Sequence, residues 1–168
     1  MTPNPTGERT CVKSRAGRSL HFWWTKKMKF QLLKIEVEDS FESEELRTRA
    51  RESSKSPKTM HYRVLADGVE AAFVSLDRWP EPEISQMVVY EIFVPRDIRR
   101  KGIGSAVLAE IEKVAILEGF HKMHLRPHPL DLETNQAKLN DWYLNKGYYW
   151  DPNVTCEMEK YIAKTPNH

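Results

Sequence analysis

Residues 88–118, VVYEIFVPRDIRRKGIGSAVLAEIEKVAILE, constrain this chain more than any other stretch. Val88, Val89, Tyr90, Ile92, Phe93 and Val94 form a β-branched and aromatic run that predicts a strand, and Pro95, which cannot donate to a ladder, closes it. Farther on, Ile103, Val107, Ile111 and Val114 recur at helical spacing. Leu108 and Ala115 widen that stripe, with Glu110, Glu112 and Lys113 opposite, so a core-facing helix is predicted.

The turn has its own chemistry. Arg99, Arg100 and Lys101 precede Gly102, Ile103, Gly104 and Ser105, so the free N–H groups of the first helical turn sit beside three cations. Such a terminus favours an anion, and glycines let the backbone approach a diphosphate closely. A P-loop would need Gly-Lys-Ser/Thr at its end, and a dinucleotide fingerprint would need a small residue where Val107 stands. Taken alone, Gly-x-Gly also fits a basic helix cap with two incidental glycines.

With strand and helix in place, the stretch resembles the acetyl-CoA site of the GNAT superfamily of N-acetyltransferases. Its pattern, Gln/Arg-x-x-Gly-x-Gly/Ala after the fourth strand, is matched by Arg99, Gly102 and Gly104. A second element, Trp142-Tyr143-Leu144-Asn145-Lys146-Gly147-Tyr148, resembles the family's Phe-Tyr-x-x-x-Gly-Phe. The resemblance covers about residues 28–163. It implies an α/β (α+β) GNAT fold, a mixed, mostly antiparallel sheet of six or seven strands flanked by about four helices. It also implies acetyl-CoA as acetyl donor, with the pantetheine arm on the backbone of Ile92, Phe93 and Val94 and the pyrophosphate at Arg99, Arg100, Lys101, Gly102, Ile103, Gly104 and Ser105. Asn135 resembles the asparagine that opens the helix near CoA, and Tyr143 takes the place of the tyrosine that serves the leaving thiolate. Read from its residues alone, Tyr143 is equally a core aromatic beside Trp142.

Glu91 is the only carboxylate inside the central strand. Some polyamine acetyltransferases carry an acid at this position, whereas many relatives place their base where Val88 stands. Glu91 therefore reads either as a base, direct or through water, or as a structural carboxylate.

Composition permits one domain. At 168 residues and 40% hydrophobic content the chain can close a core. Cys11 and Cys156 have no paired-ligand spacing, and no apolar run approaches a membrane span. A soluble, cytoplasmic protein with no membrane partner is expected. Of the 26 Lys/Arg and 24 Asp/Glu, seven bases and one acid lie in residues 1–29, leaving 19 bases against 23 acids in the rest. Residues 1–27 are read as a basic, disordered extension despite the patch His21-Phe22-Trp23-Trp24, residues 28–163 as the acetyltransferase domain, and 164–168 as a C-terminal tail.

Along the domain, Phe30 to Val37 predict a first strand, and Asp39 or Ser40 a cap for a helix through about Arg51. The resemblance allows Glu42, Glu44 and Glu45 on that helix a part in shaping the acceptor site. Asp67-Gly68 between two extended runs predicts a hairpin. Residues 120–126 predict a fifth strand. His121 and His124 alternate to opposite faces there and Pro127 and Pro129 interrupt the approach to His128, so surface histidines and no metal are expected. Thr134 or Asn135 is set to cap the last helix, Tyr148–Trp150 to begin a strand, and Thr155 to Ile162 to close a final hairpin.

The expected function is transfer of acetyl from acetyl-CoA to a primary amine of a small molecule, polyamine or protein, by direct attack in a ternary complex. A lysine-like ammonium is deprotonated at pH 7 only at a cost of about 4.6 kcal/mol, which is why a base is sought. The alternative is a catalytically silent GNAT-like module that binds CoA or another protein. Nucleic acid bound by the basic head ranks last among the partners, and a homodimer is left open.

Overall fold

The computed structural model describes residues 28–37, 40–81 and 85–162. Seven strands form one sheet in the order β1-β2-β3-β4-β5-β7-β6. They are β1 (Phe30–Ile35), β2 (Thr59–Ala66), β3 (Val69–Trp79), β4 (Gln86–Phe93), β5 (Lys122–Leu125), β6 (Tyr149–Trp150) and β7 (Met158–Tyr161). Every pair is antiparallel except β4 with β5, which is parallel. Three α-helices, α1 (Glu44–Glu52), α2 (Ile103–Leu117) and α3 (Gln136–Leu144), and a 3-10 turn at Arg96–Ile98 complete the described residues. The sheet is the mixed, mostly antiparallel one expected.

Local chemistry accounts for the joints. Asp67 and Gly68 both take positive φ, 49° and 86°, the left-handed pair that makes a two-residue hairpin follow the strand twist. Helix α1 starts later than Asp39 or Ser40 would set it. Ser43 is the cap, its Oγ accepting from Leu46 N at 3.4 Å, because the Glu70 carboxylate takes the N–H groups of Glu42 (2.9 Å) and Ser43 (2.8 Å) and keeps them out of the helix. Asp39 lies outside the described residues. The final strand is shorter than Thr155 to Ile162, since residues 152–156 turn instead, with Cys156 at φ 64°.

The two faces of the sheet carry separate cores. On one, Val107, Leu108, Ile111 and Ala115 of α2 pack with Met87, Val89, Met123, Leu125 and Tyr143. On the other, Leu46 and Ala50 of α1 pack with Phe41, Phe73 and Phe93. Strand β4 contributes to both because it is bulged. Ser75 of β3 faces Glu91 and Leu76 faces Val89, so Tyr90 is an extra residue. Without that insertion Val89, Glu91 and Phe93 would all point to one side. With it, Val89 and Ile92 join the α2 core while Glu91 and Phe93 turn toward α1.

Candidate acetyl-CoA cleft

The β4–β5 pairing runs from Gln86↔Lys122 to Val89↔Leu125 and stops. Beyond it β4 continues, paired only with β3, whereas the chain after Leu125 leaves through Pro127 and Pro129, neither of which can donate to a ladder. The strands therefore part just where Tyr90 bulges, and a cleft of about 400 Å³ opens between them. Along its β4 wall lie Glu91, Ile92, Phe93 and Val94. Arg99, Arg100, Gly102, Ile103, Gly104 and Ser105 line one end, and Leu139, Trp142 and Tyr143 of α3 flank it. Most of the residues proposed from sequence thus share one cavity. Lys101 and Asn135 are not in its lining.

The α2 terminus has neither a side-chain cap nor an acid in its first turn. Gly102, at φ 81°, is the cap residue. A Cβ at Gly104 would meet only Trp142 Cζ2, at 3.9 Å, so the protein itself does not require glycine there. The space beside it belongs to the cleft, as a close approach by diphosphate oxygens would need. Ser105 Oγ accepts from Trp142 Nε1 at 3.3 Å, which leaves its own O–H to donate.

Arg99 does something else. Its Nε donates to Val94 O at 2.7 Å, its guanidinium lies over the Phe93 ring at 5.5 Å, and Nη1 pairs with Asp131. The Asp131 Oδ1 in turn accepts from Thr134 N (2.9 Å), Thr134 Oγ (3.0 Å) and Glu133 N (3.0 Å). Arg99 thus ties the end of β4 to the loop 126–134 that forms the opposite wall. Its guanidinium, with the Thr134 donors, holds the Asp131 carboxyl at about 2. Nothing local in the sequence assigns this loop to the site, and its lining residues Arg126, His128, Leu130 and Asp131 become visible only in the fold.

Tyr143 is buried in the cleft wall, edge-on to Trp142 at 4.6 Å and to Tyr148 at 5.7 Å. Burial raises its phenol to about 12, so the hydroxyl stays protonated and can donate throughout the neutral range. Asn135 caps α3, its Oδ1 accepting from Lys138 N at 3.0 Å. Glu91 faces α1, with its side chain only 3% exposed. Arg49 binds it through both Nε and Nη2, the latter 2.9 Å from Oε2, and Ser53 Oγ adds a third contact at 3.2 Å. The same pairing raises the Arg49 pKa.

A shallower groove of about 280 Å³ adjoins the cleft, sharing Phe93 and Leu130 with it and lined by Glu44, Glu45, Thr48, Arg49 and Glu52. Glu44 and Glu45 therefore border the site as the resemblance allowed, and Glu42 does not.

Residues 22–144 match the sequence profile described as the acetyltransferase (GNAT) family, so the chain belongs to that family. The match begins ahead of the boundary drawn at residue 28. No curated protein sequence matches. Among solved structures, the chain is similar to the PaiA N-acetyltransferase of Thermoplasma acidophilum in complex with coenzyme A, with TM-score 0.54, 15% identity, and coverage of 80% of this chain and 100% of that one. It is also similar to an acetyltransferase from Thermus thermophilus, with TM-score 0.53, 12% identity and coverage of 80% and 97%. The KacTA–DNA complex gives TM-score 0.57, 13% identity and coverage of 79% and 93%. At these identities the likenesses establish the fold. No helix among the described residues is long and apolar enough to cross a membrane.

Proposed function

We propose that this chain transfers an acetyl group from acetyl-CoA to a primary amine, of a small molecule or a protein, by direct attack within a ternary complex. The observation that carries this reading is the one cleft that joins an α2 terminus without a side-chain cap, a stretch of β4 free of β5 and a protonated, buried tyrosine. Bound acetyl-CoA would supply an activated thioester. Ile103, Gly104 and Ser105 would hold its diphosphate, with Arg100 beside them, and the free backbone edge of Ile92 to Val94 would hold the pantetheine arm.

Chemistry at the reacting end follows from the same walls. Backbone N–H groups of bulged β4 would stabilise the negative charge that develops on the carbonyl oxygen. Tyr143 would give its hydroxyl proton to the departing sulfur. An ammonium must lose a proton before it can attack, and Glu91, with both oxygens already engaged, is suited to ordering a water that accepts this proton rather than to taking it directly. The acidic groove of Glu44, Glu45 and Glu52 supports an amine acceptor that arrives as a cation.

The pairing of Glu91 with Arg49 also favours a second reading, a module that binds CoA without turnover. One experiment separates the two. Calorimetry with acetyl-CoA on the purified chain is followed by thiol release against polyamines, aminoglycosides, amino acids and peptides. Binding with amine-dependent release is expected. Binding without release on any amine would favour the silent module, and no binding would overturn both.

A further inference from the structure

Away from the cleft, β7 lies between β5 and β6 and brings distant residues into one row. Glu159 is paired with His124 on one side and with Tyr149 on the other. Asp151 follows β6 directly, and its backbone N–H donates to Glu157 O at 2.9 Å, which closes the 151–157 turn over the row. Donor atoms of His124, Asp151 and Glu159 all lie within 4.8 Å of one another, and Glu157 Oε2 contacts His124 Nε2.

His124 was expected at the surface but is only 8% exposed, because β7 and the turn cover it. Its Nδ1 is buried with no hydrogen-bond partner among the described residues. A buried ring nitrogen without a partner is costly unless something occupies its lone pair. Three carboxylates converge on this imidazole, and the ammonium answering them is Lys122, whose Nζ is 2.9 Å from Glu159 Oε2. The cluster thus gathers three carboxylates, one ammonium and a ring nitrogen with no partner among the described residues.

We propose that His124, Asp151 and Glu159 form a binding site for a divalent transition-metal ion of the zinc class. His124 Nδ1 supplies the nitrogen, Asp151 and Glu159 supply oxygens, and Glu157 orients the ring from Nε2. A carboxylate on the second nitrogen of a metal-binding histidine is the usual means of fixing the tautomer so that the first nitrogen can coordinate. One imidazole with carboxylates suits zinc better than magnesium or calcium, which take oxygen ligands. Bound there, the ion staples the β6–β7 hairpin to β5. None of the three ligands lines the acetyl-CoA cleft, so the site is separate from the transfer chemistry.

The test uses the full chain, stripped with chelator and dialysed, then titrated with ZnCl2 by calorimetry, with bound metal counted by mass spectrometry. One Zn2+ per chain is expected, displacing no acetyl-CoA, with MgCl2 binding at least 100-fold more weakly. Asp151→Asn, a conservative change in a surface turn, and Glu159→Gln should each weaken Zn2+ at least 10-fold, and His124→Ala should do so by more. Circular dichroism checks that each variant is folded. If the parent chain takes up no Zn2+, if Zn2+ uptake survives unchanged in folded Asp151→Asn, or if Mg2+ binds as tightly, the assignment is wrong.

Discussion

Arg49 in the last turn of α1 grips Glu91 of bulged β4 with two guanidinium nitrogens, and the pair joins the cleft, which Glu91 lines, to the neighbouring groove, which Arg49 lines. The carboxylate is buried and the guanidinium partly exposed, with side chains 3% and 24% accessible. Arg49→Ala would strand a buried charge and should destabilise the fold by about 3 kcal/mol, whereas Arg49→Met with Glu91→Leu should recover most of that loss. Urea unfolding of the three proteins checks this. Equal stability of parent and Arg49→Ala would mean that water replaces the guanidinium.

The Asp131 carboxyl, held at about 2 against an ordinary 3.8, makes a pH-dependent contribution. A depressed carboxyl stabilises the fold fully above its unfolded pKa, and the benefit fades as pH falls through the folded value, here between about 4 and 2. Asp131→Asn should therefore lose the stability that the parent gains across that window, and thermal melts from pH 2 to pH 6 read the difference. Because the Arg99–Asp131 pair holds one cleft wall to the other, acetyl-CoA should also bind the variant more weakly at neutral pH.

Tyr143→Phe separates catalysis from packing. Losing the hydroxyl should lower kcat by about 10²-fold, with acetyl-CoA affinity changed less than about threefold. Burial raises the phenol from 10 to about 12, so its stabilising effect is fully present below about pH 10 and is lost as pH rises from there through the folded value. If the parent chain turns over as proposed, its pH–rate profile should accordingly show no descending limb from Tyr143 below about pH 11. Equal losses of kcat and affinity in the variant would make the residue structural.

Local signals carried the fold a long way. The Asp67-Gly68 hairpin, the α2 stripe and the glycine turn are each written within a few consecutive residues, whereas the parallel pairing of β4 with β5 emerges only in the folded sheet. What the chain order hides are contacts made by the folded sheet. Nothing near Arg49 points to Glu91, 42 positions on, and nothing near Arg99 points to Asp131, 32 positions on. The bulge at Tyr90 is likewise invisible, because alternation through Val88–Phe93 reads acceptably in either register, yet it decides that Glu91 faces α1. His124 looked like a surface residue for the same reason: its neighbours on β7 arrive from more than thirty positions away.

Gly104 offers the cleanest test of the anion cradle, because protein packing and ligand binding predict opposite outcomes there. A Cβ would have ordinary contact with Trp142 at 3.9 Å and no other neighbour within 4 Å. Alanine in a helix is favoured over glycine by about 0.5–1 kcal/mol, so Gly104→Ala should leave stability unchanged or raise it. On the proposed binding mode the same methyl group would stand where diphosphate oxygens approach the α2 N–H groups, so acetyl-CoA affinity should fall at least 10-fold. Gly102→Ala gives the contrasting result: at φ 81° it is strained whatever the space, and it should destabilise the fold by about 1 kcal/mol even without ligand. Calorimetry and urea melts on the two variants read both predictions. An unchanged acetyl-CoA affinity in Gly104→Ala would place the diphosphate somewhere other than the α2 terminus.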